Sequence, residues 1–322
     1  MTAASRANGV PWGIWRQACV AGRLGLAVGM ALAVEPAGLA EPGAAPEQPL
    51  CVVVMDPLAA RLSCPCVAGY AQRDYAALAG YLEETLRRRV KLAFGDSLAS
   101  ALKADGEARA DVVIGKESVV RADGRAVGIG LEPVCSLTDT AGSCAIGGLF
   151  VVPADDAAES VEDLVDYAIF VGSAEHDEKH GLAVESLRRA GLPEPFDVHE
   201  FPTCSDAAAD MLEMVQPAQV AAVISSYAAP LLEGCGAVPQ GALRVIGETE
   251  PVRFVTAFVN RDLGFEARDR IAEALLDVGK HADLCRKLES AVGFVRMPVD
   301  IDTDWPGPRH PHAPRHGGPR RR

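Results

Sequence analysis

The sequence predicts an α/β protein of two lobes, each a mainly parallel sheet flanked by helices, with the chain crossing twice between them. Three observations lead there. Short continuous apolar runs alternate with helical apolar stripes along residues 50–295, the pattern of buried parallel strands joined by crossover helices. Three runs end in a small polar corner that opens a helix: Asp111-Val112-Val113-Ile114-Gly115-Lys116-Glu117-Ser118, Ile169-Phe170-Val171-Gly172-Ser173-Ala174-Glu175-His176 and Ala222-Val223-Ile224-Ser225-Ser226-Tyr227. The rhythm breaks over residues 131–153 and then resumes, as it would where the chain enters a second lobe.

Each element follows in order. Cys51 to Met55 is a strand, and Tyr75, Leu78, Tyr81, Leu82 and Leu86 form the apolar stripe of the helix after it. Val90 to Phe94 is the next strand. Leu98, Ala101 and Leu102 mark a short helix, and Val112 to Ile114 the first corner strand. This β-α-β-α-β series implies right-handed crossovers. Leu149 to Pro153, after Gly147-Gly148, is a crossing strand. The second lobe then reads strand Ile169–Val171, helix Lys179–Ala190 stopped by Gly191, strand Val198–Phe201, helix Ala207–Val215 and strand Val220–Ile224. Arg244–Ile246 and Phe254–Val259 carry the chain back. Helices over Ala267–Val278 and His281–Ala291 pack on the first lobe. Two crossings between two lobes make a hinge and a cleft.

The length of 322 residues suits about two domains. A net charge of -13, concentrated in residues 50–304, excludes nucleic acid as the main partner, because phosphate neutralisation needs a basic face. Arg16 and Arg23 precede an apolar run, Leu24 to Val34, followed by the small-residue site Gly38-Leu39-Ala40. That run is too short to span a bilayer and suits a secretory signal. Neither Cys19 nor Cys51 sits in a lipobox, so the expected product is soluble and periplasmic. The expected organisation is a signal peptide over 1–40, a linker over 41–49, lobe 1 over 50–146 plus 252–304, lobe 2 over 147–251, and a disordered Pro/His/Arg-rich tail over 305–322.

Nine cysteines are present. Cleavage after Ala40 leaves Cys51, Cys64, Cys66, Cys135, Cys144, Cys204, Cys235 and Cys285, an even number that suggests disulfides in an exported chain. Cys135 and Cys144 flank the polar turn Thr138–Ser143 and form the first candidate pair. Cys64 and Cys66 are too close in sequence to bridge without strain. They either pair with Cys204 or Cys235, or face the cleft.

The order of elements resembles the phosphate/phosphonate-type, PhnD-like substrate-binding proteins of ABC transporters, within the type 2 periplasmic binding proteins. The resemblance rests on Tyr75-Ala76-Ala77-Leu78-Ala79-Gly80-Tyr81-Leu82, the Asp111–Ser118 corner, Ser160-Val161-Glu162-Asp163-Leu164, Ser205-Asp206-Ala207-Ala208, Val220–Tyr227 and Leu243-Arg244-Val245-Ile246. It implies a two-lobed fold of that type, a small anionic or zwitterionic ligand in the cleft, an inner-membrane ABC permease as partner, and a monomer. The second-lobe corner departs from the family's Ser/Thr/Gly-rich pattern. Glu175, Asp177 and Glu178 would repel a dianion.

The ligand-binding candidates are Tyr70, Lys116, Ser118, Ser173, His176, Ser205, Ser225, Ser226 and Tyr227. The serines either donate hydroxyls to a ligand beside backbone N–H groups or cap helices. Tyr70 and Tyr227 either pack on the ligand or belong to the core. His176 and His180 share a face if they lie on one helix. They could then hold a divalent metal with Cys64 and Cys66, or simply belong to a solvated first turn. The metal option supports an alternative: a periplasmic metal- or cofactor-binding accessory protein for an exported redox enzyme. No G-x-S-x-G, P-loop, H-E-x-x-H or C-x-x-C-H motif occurs, so no catalytic residue and no cofactor is expected.

Overall fold

A computed structural model describes residues 48–63, 72–106, 109–214 and 219–297. Cys64, Cys66, Tyr70, the expected signal peptide and the expected tail lie outside the described residues.

The first lobe opens with β1 (Leu50–Met55), α1 (Tyr75–Leu86), β2 (Val90–Phe94), α2 (Leu98–Asp105), β3 (Val112–Lys116), α3 (Glu117–Val127) and β4 (Leu131–Leu137). β1, β3 and their apolar runs are buried on both faces, which explains the absence of alternation in their sequences. α1 is capped by Asp74, whose carboxylate accepts from the Ala76 and Ala77 N–H groups. Its stripe, Tyr75, Leu78 and Leu82, faces the sheet.

A short strand β5 (Ala145–Ile146) leads to β6 (Gly148–Pro153) in the second lobe. There β7 (Ala168–Gly172), α4 (Gly181–Arg189), β8 (Asp197–Phe201), α5 (Cys204–Glu213), β9 (Val220–Ser225), α6 (Ala228–Gly234) and β10 (Leu243–Glu248) follow. The chain returns through β11 (Val252–Arg253) and β12 (Val255–Asn260) to α7 (Phe265–Asp277), α8 (Ala282–Lys287) and β13 (Phe294–Arg296).

Two large sheets result, ordered β13-β4-β12-β3-β1-β2 and β10-β6-β9-β7-β8. The expected parallel strands form one side of each sheet, out to its edge: β1 pairs with β2 and β3, and β7 with β8 and β9. The other side of each is antiparallel, because β6 and β12 enter their sheets directly from the other lobe without a crossover helix. β5 and β11 pair with each other, so both crossings run through one two-stranded ribbon. α7 and α8 pack on the first lobe as expected, with Ile271, Leu275, Leu284 and Leu288 in one core with Leu78 and Leu82. α8 is shorter than the expected helix; it stops at Lys287, and Ser290 then bonds to Thr138 and Gly293.

The candidate Cys135–Cys144 bridge is not formed; both are thiols. Cys135 is fully buried in β4, while Cys144 follows a turn organised by Asp139, whose Oδ1 accepts from the Ala141 and Ser143 N–H groups. That turn fixes where Cys144 lies independently of Cys135. Burial pushes the Cys135 thiol up, and burial with Asp139 pushes Cys144 up to about 11. Cys204 and Cys235 are thiols as well.

Candidate functional site

The three corners foreseen in the sequence meet at the boundary between the two sheets. Lys116 ends β3, and although it is a lysine it is only 3% exposed. Its ammonium forms an ion pair with Glu178 of the second lobe, which is 0% exposed. It also donates to His176 Nδ1 at 2.7 Å, which places the His176 proton on Nε2. The same Glu178 oxygen, Oε1, accepts from Ser225 Oγ at 2.7 Å. Ser118 Oγ accepts from the Asp177 N–H at 3.4 Å, adding a second link from the first corner to the second.

Burial lowers the Lys116 pKa and Glu178 partly restores it. Burial, Lys116 and Lys179 together lower His176 to about 2, so the ring is neutral and free to accept. Lys179 is also buried, and its ammonium lies 3.6 Å from Cys204 Sγ. The Ser225 N–H donates to that sulfur at 3.4 Å.

Two backbone features shape this corner. Gly172 leaves room for the Lys179 stem; a Cβ there would lie 2.4 Å from Lys179 Cε. Gly148 lets the Glu178 carbonyl approach; a Cβ there would lie 2.1 Å from that oxygen.

Other predicted residues serve differently. Ser173 contributes its carbonyl, which accepts from the His176 N–H at 2.9 Å in a tight turn. Ser205 is the second residue of α5, not its cap. Thr203 caps that helix, and the Ser205 hydroxyl pairs with Thr203 Oγ1 at 2.8 Å. Ser226 is tied to the crossing strand: its N–H donates to the Gly147 carbonyl at 2.8 Å and its Oγ accepts from the Gly147 N–H at 3.3 Å. Tyr227 stacks on Phe254, with ring centroids 5.2 Å apart and planes 16° apart. It packs against the cores of both lobes.

The expected helix over Lys179–Ala190 starts later, and this changes the two histidines. Asp177–Lys179 forms a single 3-10 turn, and His180 has φ -129° and ψ -80°, outside the helical region. His176 and His180 therefore do not share a helix face. His180 Nδ1 lies 2.7 Å from the Gly172 carbonyl, while His176 faces Lys116. Among the described residues no cluster of three His, Cys, Asp or Glu could hold a metal ion.

A second buried polar group was not flagged by the sequence. Asp56 follows β1 and is 0% exposed. It pairs with Arg73 Nη1 at 2.9 Å and accepts from the Tyr75 hydroxyl at 2.6 Å. The Arg73 guanidinium lies over the Phe254 ring, 5.4 Å from its centroid. Phe254 and Tyr227 thus separate two buried ion pairs. The signal available in the sequence was weak: one Asp closing an apolar strand.

Similarity to known proteins agrees with this layout. A profile described as the phosphonate periplasmic substrate-binding protein of an ABC transporter matches residues 69–301. No curated protein matches the chain. A Xanthomonas citri protein solved with bound ATP is 14% identical, with a TM-score of 0.58, over 78% of this chain and 91% of that one. A binding component of a phosphonate ABC transporter from Pseudomonas aeruginosa is 12% identical, with a TM-score of 0.58, over 78% and 82%. PhnD1 from Prochlorococcus marinus, solved with methylphosphonate, is 12% identical, with a TM-score of 0.55, over 78% and 93%. At such identities these structures establish the fold, which is that of type 2 periplasmic binding proteins. The accessory-protein alternative loses its motivation, since His176 and His180 diverge and the profile belongs to solute binders. With its profile match spanning most of the sequence, the chain belongs to the family of periplasmic phosphonate-binding proteins that serve ABC transporters.

Proposed function

We propose that this protein captures a small phosphonate- or phosphate-like anion, or a zwitterion carrying such a group, between its two lobes and delivers it to an inner-membrane ABC permease. The observation that carries the reading is the convergence of Lys116, His176, Ser225 and Tyr227 from three strand-end corners on one buried point. Lys116 supplies the positive charge. The hydroxyls of Ser118 and Ser225 stand beside it; those of Ser205 and Ser226 would join only on release from Thr203 and Gly147, Ser173 is a further candidate, and Tyr227 supplies an aromatic wall. Tyr70, outside the described residues, is the remaining candidate contact. Lobe 1 comprises residues 50–146 plus 252–304 and lobe 2 residues 147–251, and the β5–β11 ribbon is the hinge about which they close. The protein acts as a monomer without cofactor or catalysis. It reaches the periplasm after loss of residues 1–40; among the described residues no helix is long and apolar enough to cross a membrane.

Titration calorimetry with methylphosphonate, 2-aminoethylphosphonate, phosphite and phosphate tests this. Saturable heat with at least one of the four is expected, and silence with all four rejects the reading.

A further inference from the structure

We infer that Glu178 is a tethered competitor: from the second lobe its carboxylate takes the anion position that Lys116 offers in the first, and an incoming anion must displace it. The inference rests on the proposal that this cleft receives a small anion.

The two oxygens of Glu178 carry the argument. Oε1 takes both Lys116 and the Ser225 hydroxyl, while Oε2 is buried with no hydrogen-bond partner among the described residues. A purely structural buried ion pair needs its remaining lone pairs satisfied. Among the described residues, this one leaves half the carboxylate unsatisfied. The donors around Oε1, an ammonium and a hydroxyl with His176 behind the ammonium, are those a free oxyanion would use.

The tether is rigid. Thr249 Oγ1 donates to the Glu178 carbonyl at 3.1 Å and accepts from the Gly148 N–H at 2.8 Å. Gly148 in turn admits that carbonyl only because it lacks a Cβ. The Glu178 backbone is thus fixed to the start of β6 in the second sheet, and its side chain reaches across to β3 of the first. The Ser118–Asp177 bond joins the same two corners.

Two consequences follow. The lobes are drawn together by the protein's own charges, without a ligand. Anion affinity is reduced by the fraction of molecules in which Lys116 is already taken, so a pair closed in about nine molecules of ten weakens binding about tenfold.

The test uses the full chain as wild type, as Glu178→Gln and as the double variant Lys116→Met with Glu178→Gln. Each is titrated with methylphosphonate, 2-aminoethylphosphonate, phosphite and phosphate and measured by small-angle scattering without ligand. Glu178→Gln is expected to bind at least about tenfold tighter and to have a larger radius of gyration than wild type. The double variant is expected to share the larger radius and to lose binding. Unchanged or weaker binding by Glu178→Gln overturns the inference. If no variant binds any anion, the phosphonate reading falls and scattering alone decides: larger radii in both variants support the tether, and equal radii overturn it. Should Glu178→Gln fail to fold, the double variant, which buries no unpaired charge, gives the scattering answer.

Discussion

Asp56 is a fully buried carboxylate made tolerable by its partners: Arg73, the Tyr75 hydroxyl and the Leu58 N–H, which donates at 2.9 Å. Burial and Asp56 together hold the Tyr75 hydroxyl protonated well above its usual range. The partners lie 17 and 19 residues along the chain, beyond any local pattern, so sequence reading took Tyr75 only as part of a helical stripe. Replacing Tyr75 with Phe keeps the ring and removes the donor. The expected cost is about 1–3 kcal/mol, the penalty for depriving a buried acceptor of its bond, read from urea unfolding. A loss below a few tenths would show that Arg73 alone suffices. Lys116 was legible as a candidate site residue because it ends an apolar strand. Its partner Glu178 was legible only as one of three acids, because spacing does not reveal which of them turns inward.

At the level of elements, the loop between β7 and α4 decides most. The run Glu175–His180 looked like a helix start, and its two histidines looked like neighbours on one face. Instead a 3-10 turn and the non-helical His180 send His176 toward β3 and His180 back to Gly172. The pH dependence follows from His176. Its pKa falls from 6.5 to about 2 on folding. Above pH 6.5 it is neutral in folded and unfolded chains alike and contributes no pH dependence. As pH falls from 6.5 toward 2, only the unfolded chain gains the proton, so stability declines. Thermal midpoints measured across that range are expected to fall with acidity, and His176→Gln, which keeps an acceptor for Lys116, is expected to flatten part of the slope. An identical slope in the variant would assign the effect elsewhere. The same loop depends on Gly148. Gly148→Ala forces the Glu178 carbonyl away from the start of β6, and overpacking of this kind costs about 1–3 kcal/mol. Chemical denaturation would measure it; a neutral result would mean the loop shifts freely.

Across the unit spanning residues 46–322, the two sheets communicate through the β5–β11 ribbon, the Lys116–Glu178 pair and Tyr227. Tyr227 packs against the cores on both sides and stacks on Phe254, which comes from the return crossing. Tyr227→Ala is therefore expected to uncouple the lobes, turning one calorimetric transition into two, whereas Tyr227→Phe should keep one. A single transition for the Ala variant would locate the coupling in the ion pair and ribbon alone. Though it did not foresee the short strands β5, β11 and β13, the sequence by itself determined the alternation of longer strands and helices in both lobes, the region where the chain crosses, and the three corners that meet in the candidate site. Those are set by local apolar periodicity and by polar residues that follow buried strands. Only the tertiary structure decided that β6 and β12 run antiparallel to their neighbours, that Cys135 and Cys144 remain thiols, and that Glu178, among three acids, faces Lys116. Those outcomes depend on which distant backbones approach one another, through Gly148 and Thr249 above all. The periodicity of a single segment carries no information about that approach.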